Sequence, residues 1–129
     1  MLDSSALLAY LQLEPGEDAI RAALAGGSII SSVNLSEVLE VLSRANAKPD
    51  ELAREMDESG VLFSALLVEE FTHDDSIEAA RLRPLTRHLG LSLADRACLA
   101  LASRMEFPVL TADQAWAELD LGLDIRVIR

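Results

Sequence analysis

The sequence predicts a single α/β domain in which helices cover a mainly parallel sheet. Apolar, strand-like runs alternate with helical segments along the chain, which favours strands joined by helical crossovers. Half of the 129 residues are hydrophobic but only 4% are aromatic, so an aliphatic core is expected. Such a core suits helices packed on a sheet better than a β-sandwich. A chain of this length supports one domain, residues 1–129, with a core of its own.

The first half of the chain contains three strand signals and four helix signals. Glycine and proline separate them: Pro15 and Gly16 end one helix, Gly26 and Gly27 the next, and Pro49 is a favourable first helical residue. The predicted elements are a clipped strand at 1–3, helices at 4–13 and 17–25, a strand at 28–33, helices at 35–45 and 50–58, and a buried strand at 61–68.

The second half repeats this alternation. Thr72 or Asp74 is expected to cap a helix that runs to His88, and Pro84 is expected either to kink this helix or to split it. The remaining predicted elements are a helix at 92–105, a strand at 107–111, a short helix at 114–119 and a closing strand at 124–128. Strands separated in this way predict parallel pairing, with helices on both faces of the sheet.

Composition and motifs exclude several classes of protein. No apolar run approaches the ~20 residues that cross a bilayer, and the amino end lacks signal-peptide features, so a cytoplasmic protein is expected. The single cysteine, Cys98, is expected to be a small buried residue, and Trp116 to pack against the sheet edge. His73 and His88 are expected at the surface. No glycine-rich phosphate loop or Ser/His/Asp arrangement indicates a nucleotide triphosphatase or a serine hydrolase.

Four acidic residues stand where a strand-like run or loop gives way to a helix. They are Asp3, Glu37, Asp95 and Asp113. Ligands bind at the carboxyl ends of the strands in open α/β sheets, so these carboxylates are expected to converge there. Clustered carboxylates repel one another unless protons or a cation neutralise them. Because Mg²⁺ prefers hard oxygen ligands, the four acids predict a divalent-metal site suited to phosphodiester chemistry.

Helix capping is the competing interpretation of these acids. Asn34 with Glu37, and Ser92 with Asp95, have the spacing of capping boxes, in which the acid reaches back to the cap's N–H. Asp113 is placed to cap the short helix that follows it. Spacing alone leaves both interpretations open. Capping does not, however, require an additional acid at the end of strand after strand.

Asp3 differs from the other three acids in this respect. Ser4 and Ser5, two ordinary capping residues, follow it directly. The helix that begins there therefore has capping groups without Asp3. The sequence predicts that Asp3 is the one acid of the four whose role is that of a ligand alone.

Charge is unevenly distributed along the chain. The formal net charge of −11 argues, at face value, against a nucleic-acid binder. Residues 81–104, however, contain five arginines and one acid, a local net charge of +4, which leaves −15 for the remainder. The arginines are Arg81, Arg83, Arg87, Arg96 and Arg104. This stretch is either a solvated helix face or a patch that contacts phosphates.

Four segments carry a pattern that extends beyond the acids themselves: residues 2–11, 32–38, 90–102 and 108–116. Through them the chain resembles the PIN-domain ribonucleases of the VapC type, the toxins of bacterial type II toxin–antitoxin pairs. The third and fourth segments are the most specific, and the similarity extends essentially end to end. One departure is that several residues usually precede the first acid in this family, so the first strand is expected to be short here.

The resemblance implies a three-layer α/β/α sandwich with a five-stranded, mainly parallel sheet of order 3-2-1-4-5. It also implies endonucleolytic cleavage of RNA that depends on Mg²⁺ or Mn²⁺, a cognate antitoxin as partner, and a homodimer. On the family's pattern, the catalytic and metal-binding acids are Asp3, Glu37, Asp95 and Asp113, and the supporting polar residues are Ser5, Asn34 and Thr111. Arg81, Arg83, Arg87 and Arg96 are the candidate RNA contacts.

Two other functions compete with this interpretation. A non-catalytic PIN-like interaction module needs the acids only as helix caps. A phosphoryl-accepting receiver domain has a similar length and acidity, but it needs an acceptor aspartate after its middle strand, where this chain has Glu69 and Glu70. A receiver also needs a late lysine, and the single lysine here is Lys48. The receiver is the least favoured of the three.

Overall fold

Helices surround a set of parallel strands in the computed structural model, which describes all residues, Met1–Arg129. The helices are α1 (Ser4–Leu11), α2 (Glu17–Ala25), α3 (Ser32–Ser43), α4 (Pro49–Glu58), α5 (His73–Thr86) and α6 (Leu93–Met105). The strands are β1 (Ser28–Ser31), β2 (Leu66–Glu69), β3 (Val109–Thr111) and β4 (Ile125–Val127). Two 3₁₀ helices, Arg87–Leu89 and Gln114–Glu118, complete the elements. None of the helices combines the length and the apolar character needed to cross a bilayer.

All strand pairing is parallel, as predicted. β1 pairs with β2, and β3 pairs with β4. Leu2 lies between the two pairs, where it bridges to Ile30 of β1 and to Leu110 of β3. Across the sheet the segments therefore run β2, β1, Leu2, β3, β4. The structure has four strands and a bridging segment instead of the five strands expected, because α1 already begins at Ser4 and leaves little extended chain before it.

The predicted α/β fold is confirmed, but several predicted boundaries differ from the observed ones, most of all at α3 and β2. Helix α3 begins at Ser32 instead of residue 35, because the Ser31 hydroxyl accepts the Val33 N–H at 3.2 Å and caps the helix directly after β1. In the predicted strand 61–68, a turn precedes β2. Phe63 adopts a φ of 61° there, and its N–H donates to the Leu66 carbonyl at 2.9 Å.

Helix α5 tolerates its internal proline. Thr72 is the N-cap, as expected, and Pro84 lies near the C-terminal end without splitting the helix. The short 3₁₀ helix follows at once and ends at Gly90, which adopts a φ of 70°. The chain then turns into α6, the helix that carries Asp95.

Buried apolar side chains form two clusters, and α6 contributes more residues to one of them than any other element does. Six successive residues of α6, from 97 to 102, are at most 1% exposed. Cys98 and Trp116 are buried in this cluster, as predicted. Leu2, Leu7 and Ile30 belong to the other cluster, together with side chains of α2, α3 and α4. Packing on this scale fixes the first turns of α1 and α6, which carry the candidate site.

Candidate active site

Asp3 is a buried carboxylate directly after the Leu2 bridge, and it is 2% exposed. Contrary to expectation, it is also the N-cap of α1, where Oδ1 accepts the Ala6 N–H at 2.7 Å. The Thr111 hydroxyl donates to Oδ2 at 2.6 Å, and the Ser5 hydroxyl lies 2.8 and 2.9 Å from the two oxygens. Ser5 is thus used as a donor to Asp3 instead of as the cap. All of these donors are neutral, and Asp3 takes part in no ion pair.

The environment of Asp3 makes its negative charge costly. Burial raises the pKa of Asp3 from 3.8 to about 6, and the nearby Asp95 carboxylate contributes to the rise. Hydrogen bonds from Thr111, Ala6 and Ser5 oppose it and lower the pKa. No cationic side chain compensates the charge. A bound cation would supply this compensation.

The two hydroxyls that hold Asp3 are themselves held by backbone N–H groups. The Ser5 hydroxyl accepts the Ala112 N–H at 2.8 Å, and the Thr111 hydroxyl accepts the Asp113 N–H at 3.0 Å. With an N–H donated to each oxygen, the hydroxyl protons are free to point at Asp3. The end of β3 is thereby tied to the start of α1. This network fixes the orientation of the carboxylate.

Asp95 lies in the first turn of α6 and forms the predicted capping box with Ser92. The Ser92 hydroxyl accepts the Asp95 N–H at 3.1 Å, and Asp95 Oδ2 accepts the Ser92 N–H at 2.6 Å. The other oxygen, Oδ1, accepts no hydrogen bond. Asp95 is half-buried, and it is close enough to Asp3 to raise the pKa of that residue. Capping and an open carboxylate oxygen therefore coexist in one side chain.

Asp113 and Glu37 form no hydrogen bond with Asp3 or Asp95. Asp113 caps the 3₁₀ helix Gln114–Glu118, as expected, through Oδ1 and the Ala115 N–H at 2.9 Å. The capping-box interpretation of Asn34 and Glu37 does not hold, because α3 begins earlier and both residues lie inside it. The Glu37 side chain makes no hydrogen bond and lines an open groove against the start of α6.

The four acids do not close into one cluster. No three side chains among the histidines, cysteines, aspartates and glutamates stand close enough together to hold a metal ion. Asp3 and Asp95 interact electrostatically, since Asp95 raises the pKa of Asp3. Mg²⁺ usually binds proteins through one or two carboxylates and retains several waters, so the pair Asp3 and Asp95 fits its chemistry.

Asn34, the remaining candidate of the supporting set, is buried beneath these acids. Its Nδ2 donates to the Ser4 hydroxyl at 3.0 Å and to the Ala94 carbonyl at 3.1 Å. Sequence reasoning missed Ser4 and Ala94. The run of two serines after Asp3 was a signal, but it does not tell which serine faces which partner.

The arginine-rich stretch divides into engaged and free side chains. Arg96 donates to the Ala79 and Leu91 carbonyls, which ties α6 to the preceding segment and leaves less of its guanidinium for a phosphate. Two others are paired, Arg81 with Glu78 and Arg104 with Asp75. Arg83 and Arg87 are exposed and form no ion pair.

Replacing Thr111 with valine should raise the pKa of Asp3 above about 6 and lower the free energy of unfolding by about 2 kcal/mol. Valine has nearly the same shape but neither donates to Asp3 nor accepts the Asp113 N–H. Carboxyl NMR titration and urea unfolding measure the two effects. Thr86→Val is the matched control, because Thr86 is buried and bonds only to the Leu82 carbonyl. An unchanged Asp3 pKa in Thr111→Val would contradict the prediction.

Solved structures with a similar fold come from bacterial VapBC complexes. VapBC2 from Rickettsia felis, bound to a DNA fragment from its promoter, matches with a TM-score of 0.71 and 16% identity over 100% of this chain and 98% of that one. DNA-bound VapBC from Salmonella typhimurium gives the same score and identity over 100% and 97%. VapBC-5 from Mycobacterium tuberculosis matches with a TM-score of 0.52 and 24% identity over 80% and 97%.

Sequence comparison identifies the family. No curated protein is significantly similar to the chain. The model of the PIN domain family, however, matches residues 1–121, almost the whole chain. That span includes all four acids and the hydroxyls that hold Asp3. The chain therefore belongs to the PIN domain family.

Proposed function

We propose that this chain is a metal-dependent endoribonuclease that acts in the cytoplasm as the toxin of a toxin–antitoxin pair. The observation that carries the proposal is the buried Asp3 carboxylate, which has no cationic partner and lies within electrostatic range of Asp95. Membership of the PIN domain family supports the nuclease activity, and the similarity of the fold to VapBC structures supports the toxin role.

Asp3 and Asp95 would hold Mg²⁺ or Mn²⁺, and Glu37 and Asp113 would complete the acidic site. A divalent ion bound there supplies an activated water and neutralises charge on the phosphate. The hydroxyls of Ser5 and Thr111 orient the Asp3 carboxylate, and the N-terminus of α1 favours its ionised form. The capping box of α6 holds Asp95 through Oδ2 and leaves Oδ1 open.

RNA binding requires cationic side chains because the chain as a whole is strongly acidic. Arg83 and Arg87 are the best candidates, since both are exposed and unpaired. Arg81 and Arg96 contribute less, because other groups of the chain already engage them. Arginine suits this role, since its guanidinium matches the geometry of a phosphate.

The purified chain is expected to cleave RNA with Mn²⁺ or Mg²⁺ and to be inactive in EDTA. Asp95→Asn should slow cleavage by about 100-fold or more, because it removes a charge that holds the ion. Asp57→Asn, an exposed aspartate on α4, is the matched control and should be fully active. Arg83→Ala combined with Arg87→Ala should weaken RNA binding. Cleavage that persists in EDTA, or that is undiminished in Asp95→Asn, would overturn the proposal.

A cognate antitoxin and a homodimer complete the proposal. Likeness in fold to VapBC structures supports an antitoxin, which would be a small protein encoded beside this gene. Co-expression of this chain with the protein of the neighbouring gene should yield a complex in which RNA cleavage is inhibited. A neighbouring protein that neither binds this chain nor inhibits cleavage would count against the antitoxin proposal.

The free chain should run as a dimer at micromolar concentration in analytical ultracentrifugation. A monomer there would exclude the homodimer.

A non-catalytic interaction module is the second candidate. Three of the four acids cap helices, which gives them a structural role without any metal: Asp3, Asp95 and Asp113. This alternative predicts that the chain binds no Mn²⁺ at millimolar concentration, whereas the nuclease requires binding. Calorimetric titration of the metal-free chain distinguishes the two.

A further inference from the structure

Asn34 is a fully buried amide that joins the two helices carrying Asp3 and Asp95. One proton of its Nδ2 goes to the Ser4 hydroxyl at 3.0 Å, and the other to the Ala94 carbonyl at 3.1 Å. Ser4 directly follows Asp3, and Ala94 directly precedes Asp95. A single side chain therefore contacts the neighbours of both interacting acids.

The two acceptors select for an amide at this position. The Ser4 hydroxyl donates its own proton to the Asn34 main-chain carbonyl at 3.3 Å, so its oxygen is left to accept. The Ala94 carbonyl can only accept. A primary amide is the uncharged side-chain group that donates two protons from one nitrogen. Turning the amide over would place two oxygens face to face at Ala94, so its orientation is determined.

This arrangement leaves one polar atom unsatisfied. Asn34 Oδ1 is buried and has no hydrogen-bond partner. An unpaired buried acceptor lowers stability, and a leucine of similar shape would avoid the loss. Packing alone therefore does not account for an amide here. The two donated hydrogen bonds do, because they connect α1 to α6 through α3.

We propose that Ser4, Asn34 and Ala94 form a brace that positions Asp3 and Asp95 for a shared divalent ion. The inference rests on the proposed function and adds Asn34 and Ser4 to it as positioning residues. Two carboxylates without a cation repel each other, and rigid attachment of their helices holds them together before the ion arrives. Binding then requires less rearrangement. Hydrogen bonds behind metal ligands typically affect metal affinity in this way.

Calorimetric titration of the metal-free chain with Mn²⁺, combined with urea unfolding, tests the brace. Asn34→Leu should weaken Mn²⁺ binding by about 10- to 100-fold in a protein that still unfolds cooperatively in urea. Ser4→Ala removes one arm of the brace and should weaken binding to a smaller extent. Thr86→Val, a buried threonine outside the brace, is the control and should bind as the wild type does.

The outcomes separate the brace from the function on which it rests. If the wild type binds Mn²⁺ and folded Asn34→Leu binds equally well, the brace is wrong and the metal site stands. If Asn34→Leu does not fold, Ser4→Ala decides: weaker binding supports the brace, and unchanged binding overturns it. If the wild type binds no Mn²⁺, the proposed function fails and the brace fails with it.

Discussion

Replacing Asp3 with asparagine is expected to slow metal-dependent RNA cleavage by about 100-fold or more while the protein remains folded. Asparagine is as good an N-cap as aspartate, so its Oδ1 can still accept the Ala6 N–H. The Ser5 and Thr111 hydroxyls can reorient to accept from the new amide group. The negative charge, which the proposed metal requires, is lost. Activity and stability should therefore separate in this variant.

Two further variants make the Asp3→Asn result interpretable. Asp57→Asn removes the same charge from an exposed site on α4 and should change neither cleavage nor unfolding. Asp3→Ala also loses the cap, so its free energy of unfolding should fall by about 1–2 kcal/mol. Cleavage is measured on purified RNA with Mn²⁺, and unfolding in urea. Wild-type cleavage by folded Asp3→Asn would remove Asp3 from the catalytic site.

Replacing Arg104 with methionine is expected to lower the free energy of unfolding by about 2–3 kcal/mol. Asp75 is 2% exposed, and Arg104 donates to both of its oxygens, at 2.9 and 3.1 Å. The pair joins the start of α5 to the end of α6. Removing one partner of a buried pair costs about 3–5 kcal/mol, because a charge is left uncompensated. The expected loss is smaller here because the Arg104 side chain is 38% exposed.

The same pair should give the protein an acid-sensitive component of stability. Burial by itself would raise the pKa of Asp75, but hydrogen bonds from Arg104 and Thr72 outweigh it and hold the pKa below 3.8. A carboxyl whose pKa is lowered by folding stabilises the protein above its unfolded pKa, and this contribution is lost as the pH falls through the folded value. Stability should therefore decline below about pH 4, and less steeply in Arg104→Met.

Arg126→Met is the matched control for this prediction. Arg126 forms a close ion pair with Asp124, at 2.6 Å, but both side chains are exposed. Exposed pairs contribute little to stability, because water already solvates both charges. Urea unfolding at neutral and acidic pH compares the two variants. Equal free energies of unfolding for Arg104→Met and Arg126→Met would show that the buried Asp75–Arg104 pair stabilises the protein no more than the exposed pair does.

Features encoded by a few neighbouring residues were predicted well. Helix α2 was predicted with its observed limits, because Gly26 and Gly27 end it within a short segment. The capping box of Ser92 and Asp95 was recognised because both bonds lie within one helical turn. The alternation of strands and helices is likewise visible in short stretches of sequence. It predicted parallel pairing, which the structure has.

Features that depend on distant parts of the chain were missed or left open. The sequence spacing assigned Asp3 no capping role, yet Asp3 caps α1. The Ser5 hydroxyl bonds to Asp3 instead of capping the helix. Thr111, 108 residues from Asp3 in sequence, donates to the same carboxylate. The turn at Phe63 depends on a local conformation that an apolar run does not reveal.

The sequence by itself determined that this is a parallel α/β domain with four candidate site acids and one arginine-rich stretch. Only the tertiary structure decided which acids interact and which arginines form no ion pair. It also decided that Asn34 connects Ser4 with the carbonyl of Ala94, which is 60 residues from Asn34 in sequence. Periodicity, caps and turn residues act over a few residues, whereas a site is assembled from segments that packing alone brings together.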